Sequence, residues 1–346
     1  SYILSMATLF HPYDVSFVII DFKGGGMVNQ FKNLPHLNGA ITNIDGDAID
    51  RSLSSIRAEL RKRQSLFAKY DVNHIDAYIK KYKQGITNTP LPHLILIVDE
   101  FAELKTDQPE FMQELISTAR IGRSLGVHMI LATQKPAGVV NDQIWSNSKF
   151  KLCLKVQNKS DSNEVIKSPL AAEIHEPGRA YLQVGNNEIF ELFQSAYSGC
   201  GADSEQSGKM TEYEINELDL AGLKKNVFSQ RNKKNKEVET QLEAIVNYIA
   251  QYCKNAGIAS LPGICMPELP ECVVKDQSQY IEIKKETDII VEVGIYDDPD
   301  NQYQDVLKMN LSQSNTLFIG APQYGKTNML QQIMKEFMMK YSARDV

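Results

Sequence analysis

The feature that most constrains the fold is an eight-residue motif close to the C-terminal end. Residues 320–327 read GAPQYGKT and fit the pattern G-x-x-x-x-G-K-[ST]. In such a loop the glycines, here Gly320 and Gly325, let backbone N–H groups converge on phosphate oxygens, and the helix that follows adds its positive N-terminal end. The motif predicts a strand at residues 317–319 and a helix after the loop. A chance match in a loop is the alternative reading. Pro322 and Tyr324 are unusual in such a loop, so weak or purely structural nucleotide binding also stays open.

The position of this loop is as informative as its composition. Nucleotide-binding α/β domains normally begin at the phosphate loop and build the rest of the sheet after it. Both ends of this chain show a helical pattern, a short break and then Asp-Val, at Asp14-Val15 and again at Asp345-Val346. We therefore expect two tandem nucleotide-binding modules, the first lacking its own phosphate loop and the second retaining its loop with little after it.

Three apolar runs precede the motif, at residues 15–22, 94–100 and 127–134. Continuous apolar runs are typical of strands buried on both faces of a parallel sheet. Helical patterns separate them at residues 47–70 and 107–126, the latter with Asp107 as the expected cap and Gly126 as the expected end. The alternation predicts an α/β fold with a mostly parallel sheet flanked by helices. On the helix at 47–70, a basic face is expected in solvent, made of Arg57, Arg61, Lys62 and Arg63.

The pattern changes after the third run. Residues 178–197 read as two strands around Asn186-Asn187, which predicts a β-hairpin extension. Residues 203–236 are polar and charge-rich, as in a linker. An amphipathic helix is predicted from its apolar positions, which are Val238, Leu242, Ile245, Val246 and Ile249. We expect a first module over residues 1–202, a linker with this helix and a proline-rich crossing over 203–279, and the start of the next module over 280–346.

Composition limits the function classes. The formal net charge of −6 argues against a strong non-specific nucleic-acid binder, so nucleic acid is not an expected partner. No apolar run approaches the roughly 18 residues of a membrane helix. The five cysteines are scattered without a Cys-x-x-Cys pair, which favours a reducing compartment.

Two sets of residues have the chemistry of ATP hydrolysis. In the motif, Lys326 is expected to reach the β- and γ-phosphates of ATP and Thr327 to coordinate Mg²⁺ through its hydroxyl. Asp99 and Glu100 end the second apolar run. In phosphate-loop ATPases an aspartate in this place holds Mg²⁺, and a neighbouring glutamate polarises the attacking water as general base. The alternative for this pair is an acidic strand end without a chemical role.

Other candidates leave two interpretations open. Gln134 at the end of the third run is either a sensor of the γ-phosphate or a plain strand-terminal amide. Arg120 and Arg123 are either arginine fingers for a neighbouring module's phosphate or cations favoured at the C-terminal end of a helix. Residues 23–26, which read KGGG, are either a basic loop beside the site or an ordinary turn.

Several segments resemble the FtsK/SpoIIIE ATPases, namely VIIDFKGGG, LILIVDEFAEL and ARIGRSLGVHMILATQKP. GVVNDQIWSNSKFKLCLKVQ and PGRAYLQVG are similar to one branch of that family, the EssC/EccC ATPases of type VII secretion. The resemblance covers nearly the whole chain and is densest from Val15 to Gly185.

The resemblance implies RecA-like P-loop NTPase modules that bind ATP and Mg²⁺ and assemble into rings or tandem arrays. It implies the cytoplasmic part of a bacterial membrane protein that exports small helical-hairpin proteins together with other membrane components. Asp99 and Glu100 would take the Mg²⁺ and water-activating roles, and Gln134 matches a sensor-like position. The chain departs from the family in lacking a phosphate loop before Val15 and an acidic pair after Thr327, so it would hold two half-sites. A double-stranded DNA translocase and a non-hydrolysing nucleotide-binding receptor are the alternatives.

Overall fold

The computed structural model divides the chain into two compact units. Unit 1 comprises Ser1–Thr42 and Phe67–Pro262, and unit 2 comprises Asn43–Leu66 and Gly263–Val346. The structure describes residues 1–21, 25–42, 46–136, 142–185, 187–202, 213–218, 224–230, 239–266, 269–274, 288–312 and 315–341, together with residues 138, 140, 220 and 222. Lys23, Gly24 and Val238 therefore lie outside the described residues, and so do the two ends of the expected linker.

A parallel sheet forms the centre of unit 1. Its strands are β1 (Val15–Asp21), β2 (Leu37–Ile41), β3 (His93–Asp99) and β4 (Val127–Leu131). Their order is β2-β1-β3-β4, and all neighbouring pairs are parallel. Every residue of β1 is buried, as its continuous apolar sequence predicts. The parallel α/β fold expected from the three apolar runs is confirmed.

Helices flank this sheet and contribute to its core. The helices of unit 1 are α1 (Tyr2–Leu9), α2 (Gly26–Phe31), α4 (Ile75–Lys83), α5 (Phe101–Asp107), α6 (Pro109–Gly122), α7 (Asp142–Asn147), α8 (Lys159–Ile166) and α9 (Gln241–Asn255). One apolar cluster joins residues of α1, β1 and β3, with Ile3, Phe17 and Ile97 among its buried members. Burial of such side chains contributes roughly 25 cal/mol for each Å² removed from water.

The predicted amphipathic helix is confirmed as α9, and it belongs to unit 1. Val246 on α9 is buried in the cluster formed by α1, β1 and β3, and Leu242, Ile245 and Ile249 pack against it. Thr240 caps the helix: its hydroxyl accepts the Glu243 N–H at 3.2 Å, and the Glu243 carboxylate accepts the Thr240 N–H at 2.9 Å. This reciprocal capping box fixes where α9 begins.

The expected helix over residues 107–126 is wrong at both ends, since the last helix of the segment ends at Gly122 and not at Gly126. The segment forms two helices, and Asp107 is the last residue of α5. The break lies at Gln108, with φ −136° and ψ 67°, directly before Pro109. Because proline disfavours the α conformation in the residue before it, the chain cannot continue as one helix through this point. Proline is well suited to the first position of the new helix, α6.

A three-stranded antiparallel sheet lies before the charge-rich segment. Its strands are β5 (Phe150–Leu154), β6 (Arg179–Val184) and β7 (Ile189–Gln194). The expected hairpin is confirmed in β6 and β7, with Asn187 at φ 67° in the turn. The charge-rich segment was expected to be a linker, yet it contains a second antiparallel pair, β8 (Tyr213–Leu218) and β9 (Lys224–Gln230). The module limits stay a prediction.

Unit 2 is built on a long helix and a hairpin. The helix is α3 (Gly46–Lys69), whose residues up to Leu66 are counted in this unit, and the hairpin is β10 (Ile290–Asp298) with β11 (Tyr303–Asn310). Arg51 on α3 forms an ion pair with Asp297 on β10, with a second hydrogen bond of 3.1 Å from Nη2 to Oδ1. Gln302, in the turn of the hairpin, donates through Nε2 to the Ser55 carbonyl oxygen at 3.1 Å. The apolar side chains Ile49, Leu53, Ile56 and Phe67 of α3 are buried, and Leu60 is partly buried.

The basic face expected on α3 is wrong at one position. Arg63 was expected in solvent, but its side chain is only 1% exposed. Its Nε donates to Glu59 Oε1 at 2.8 Å, and Glu59 is itself 5% exposed. Burial lowers the pKa of the Arg63 guanidinium while the adjacent carboxylate raises it. A carboxylate one helical turn away therefore allows a charge to be buried where periodicity alone predicts a solvated face.

The strand expected at residues 317–319 is absent from the described part of unit 2. Leu317 is 80% exposed and Ile319 is 86% exposed. A strand needs a neighbouring strand for its backbone hydrogen bonds, and the hairpin of β10 and β11 pairs only with itself in the described residues. The helix expected after the loop is confirmed as α10 (Lys326–Lys340). Among the described residues, no helix combines the length and the apolar character needed to cross a membrane.

Candidate functional site

Acidic residues lie at the carboxyl edge of the parallel sheet. Asp99 is the last residue of β3 and is half-buried, and Glu100 follows it and is 7% exposed. Glu100 has φ 52° and ψ 54°, the left-handed conformation, and stands directly before α5. A non-glycine residue in this region costs roughly 1 kcal/mol or more and occurs often at functional sites. The backbone thus turns sharply at the residue expected to be the general base.

The Glu100 carboxylate is held by the end of β4. Thr133 Oγ1 donates to Glu100 Oε1 at 2.8 Å. The Gln134 backbone N–H lies 3.2 Å from Oε1 and 3.3 Å from Oε2. Such hydrogen bonds offset the cost of burying the polar carboxyl group. Asp99 and Glu100 therefore lie where a central strand ends, and Glu100 is oriented from the neighbouring strand.

Sequence reasoning missed two residues of this edge. Asp21 ends β1, is 3% exposed, and lies opposite Asp99 in the parallel register. Its Oδ2 accepts the Met27 backbone N–H at 2.9 Å in the first turn of α2. The signal for Asp21 was present, because the first apolar run has an acid directly before its last residue and the second run ends in two acids. Thr133 gave no comparable signal, since a threonine at a strand end is common.

The other first-unit candidates are in different surroundings. Gln134 contributes its backbone N–H to Glu100, while its side chain is exposed. Arg120 is in the last turn of α6, Arg123 is the residue that caps it, and both are exposed. The exposed position at the end of α6 suits both interpretations of these arginines, so a finger role of Arg120 or Arg123 stays a prediction. The sensor role of Gln134 also stays a prediction.

The phosphate-loop motif in unit 2 has the backbone of a loop that enters a helix. Gly325 has φ 81°, a conformation that favours glycine, and immediately precedes α10. Lys326 is the first residue of the helix and its Nζ donates to the carbonyl oxygens of Gly320 at 2.6 Å and Ala321 at 2.8 Å. The loop therefore closes around its own lysine, and Thr327 follows, exposed, in the first turn of α10.

The residue types at each half-site fit ATP and Mg²⁺. Backbone N–H groups before a helix N-terminus, with one lysine ammonium, suit the phosphates of a nucleotide. A carboxylate and a hydroxyl, such as those of Asp99 and Thr327, are the oxygen ligands that Mg²⁺ prefers. Residues 320–327 are not part of the sheet that contains β3. Among the described residues, no three His, Cys, Asp or Glu side chains are grouped so that they could bind a metal ion by themselves.

Comparison with known proteins shows which proteins this chain resembles. Residues 1–138 match the model of the FtsK/SpoIIIE family. This part of the chain is similar to FtsK/SpoIIIE domains. The chain is also 51% identical over 345 residues to the type VII secretion system protein EssC of Staphylococcus aureus (strain NCTC 8325), which confirms the resemblance to the type VII secretion branch. The match covers 96% of this chain and 23% of that EssC, so the chain spans about a quarter of the relative's length.

Solved structures agree with the fold. The cytoplasmic domain of the type VII secretion ATPase EccC from Thermomonospora curvata is similar with a TM-score of 0.73 at 23% identity, over 96% of this chain and 36% of that one. EccC of the same organism (ATPases 2 and 3), in complex with a signal sequence peptide, is similar with a TM-score of 0.57 at 19% identity, over 98% of this chain and 53% of that one. The expected fold class, a mixed α/β P-loop ATPase fold, is thereby confirmed.

Proposed function

We propose that this chain is part of a type VII secretion ATPase and carries two half-sites that belong to consecutive ATP-handling modules. The observation that carries the proposal is Glu100, a buried carboxylate held at the end of a central strand in an FtsK/SpoIIIE domain. The 51% identity to EssC supports the secretion role over DNA translocation, and the net negative charge points the same way.

On this proposal, different residues of the chain bind the phosphates, bind Mg²⁺ and activate the attacking water. ATP bound with Mg²⁺ supplies the phosphoanhydride bond that is hydrolysed. Glu100 takes the proton of the attacking water, and Asp99 holds Mg²⁺ through its carboxylate. In the next module, Gly320, Gly325 and Lys326 bind the phosphates and the Thr327 hydroxyl binds Mg²⁺. Lys326 must exchange the carbonyl oxygens of Gly320 and Ala321 for phosphate oxygens when the nucleotide arrives.

The partners follow from the same assignment. We propose that the full-length protein lies in the bacterial cell membrane, with this chain on the cytoplasmic side. It acts with other membrane components and with further ATPase modules in a ring or tandem array. Its substrates are small helical proteins; the similar EccC structure with a signal sequence peptide supports substrate binding by this kind of module.

Glu100→Gln in the full-length protein tests the general base. We expect ATP turnover at this module to fall by about 100-fold or more, because the amide cannot accept the proton, while nucleotide binding persists. Glu110→Gln is the matched control, an exposed glutamate in the first turn of α6 whose loss should leave turnover unchanged. Undiminished turnover in Glu100→Gln would reject the assignment.

A non-hydrolysing nucleotide receptor is the second candidate for the unit 2 loop. It is favoured by Tyr324, which is 82% exposed in the loop, and by the lysine contacts within the loop itself. Lys326→Ala should weaken ATP binding at this module at least tenfold by calorimetry, because one charged phosphate contact is lost. Unchanged affinity excludes Lys326 from the site in both candidates. Turnover that depends on Lys326 excludes the receptor.

A further inference from the structure

We infer that Thr133 is a positioning residue for Glu100, so that the base is oriented from β4 as well as from its own strand. The inference rests on the proposed hydrolysis at this module and adds a residue to it. Thr133 follows β4 by two positions and Glu100 follows β3 by one, so the contact joins the ends of two adjacent parallel strands.

The backbone of Glu100 places its carboxylate within reach of this contact. A residue that continued β3 would carry its side chain above or below the sheet. The left-handed conformation of Glu100, with φ 52°, departs from the strand, and its carboxylate reaches the end of β4. The Thr133 hydroxyl and the Gln134 N–H then fix the carboxylate from one side. A base held in one orientation loses less entropy when the proton is transferred.

The hydroxyl of Thr133 is itself oriented. It accepts the Lys135 backbone N–H at 3.1 Å, which fixes one of its lone pairs. Its hydrogen has two acceptors within reach, Glu100 Oε1 at 2.8 Å and the Lys135 carbonyl oxygen at 3.4 Å. The shorter contact is the stronger one, so the hydrogen points at Glu100. The turn after β4 thus presets the hydroxyl for the carboxylate.

Substitution separates this role from a packing role. Thr133→Val keeps the branched shape and removes the hydroxyl, whereas Thr133→Ser keeps the hydroxyl and removes a methyl group. Thr106→Val is the matched control: the Thr106 hydroxyl donates to the Ala102 carbonyl oxygen within α5 at 3.0 Å, close in sequence to Glu100. Thr133→Ala serves as a second loss-of-hydroxyl variant if Thr133→Val does not fold.

The experiment is steady-state ATP hydrolysis by the full-length protein and these variants. Thr133→Val should lower kcat about tenfold, the effect of one lost hydrogen bond to a charged group, with KM for ATP changed less than twofold. Thr133→Ser should recover kcat to within about threefold of the unsubstituted protein, and Thr106→Val should match it. A Thr133→Val enzyme with full kcat overturns the inference, and so does a serine variant as slow as the valine variant.

A double variant distinguishes this inference from the function on which it rests. If Thr133 acts only through Glu100, Glu100→Gln with Thr133→Val should be no slower than Glu100→Gln alone, because the two residues form one unit. An additive further loss would show a separate, structural role for Thr133 and overturn the inference. If Glu100→Gln itself keeps full turnover, the proposed function fails first. If Glu100→Gln is inactive and Thr133→Val is fully active, only the positioning role fails.

Discussion

The buried ion pair on α3 allows a prediction whose size follows from the structure. Arg63 and Glu59 are 1% and 5% exposed, with 2.8 Å between Nε and Oε1. Arg63→Met removes the guanidinium that pairs with Glu59 and keeps most of the buried side-chain volume. Glu59 then stays buried with weaker partners, Lys62 Nζ at 3.7 Å and Gln302 Nε2 at 3.3 Å. Breaking such a pair from one side costs about 3–5 kcal/mol, and these remaining partners place the expected loss near the lower end, at about 3 kcal/mol.

The assay is amide hydrogen exchange along α3 and the β10–β11 hairpin, because a chain of two units need not unfold in one step. A loss of about 3 kcal/mol corresponds to exchange roughly 150-fold faster in these elements. Arg61→Met is the control: its ion pair with Asp300 has a similar distance, 2.9 Å, but its side chains are 57% and 65% exposed. An exposed pair should contribute under about 1 kcal/mol. Equal exchange rates in the two variants would refute the reasoning.

Two further predictions concern stability and reactivity. Thr240→Ala removes the hydroxyl that caps α9 and should destabilise unit 1 by about 1 kcal/mol, measured as faster amide hydrogen exchange in α9. Thr240→Ser keeps the hydroxyl and should restore most of the lost stability. Equal exchange rates in the two variants would contradict the capping argument. Burial raises the pKa of the Cys153 thiol to about 11, so its thiolate is scarce at pH 8 and becomes abundant only as the pH rises through that value. Iodoacetamide should therefore alkylate the exposed Cys200 long before Cys153 in the folded protein, and equal labelling rates would show that the burial around Cys153 is absent in solution.

Hydrophobic periodicity predicted the architecture well because it records which faces are buried. The continuous runs became β1, β3 and β4, and the apolar positions at helical spacing became α3 and α9. Periodicity could not place Arg63, because its burial depends on the charge of Glu59 one turn away. It also missed the helix break at Gln108, although Pro109 was visible in the sequence and its effect on the preceding residue was the available signal.

The candidate site was only partly accessible from the sequence. Asp99 and Glu100 were expected at the end of a central strand, and they lie there. The positive φ of Glu100 and its contact with Thr133 depend on how two strands align, which the sequence alone does not specify. The strand expected at residues 317–319 shows the same limit, since a strand forms only where another strand is present to pair with it.

The packing of α9 has a consequence for how the protein is made. The core of unit 1 places Ile3 and Val246 in one apolar cluster, so two segments far apart in the sequence complete it together. During synthesis α1 emerges from the ribosome long before α9, and its apolar side chains lack these partners until the chain around residue 246 has been made. Contacts between residues so far apart in sequence also slow folding. Nascent chains that have not yet reached α9 therefore expose apolar side chains that α9 later covers, which is the kind of surface that chaperones bind.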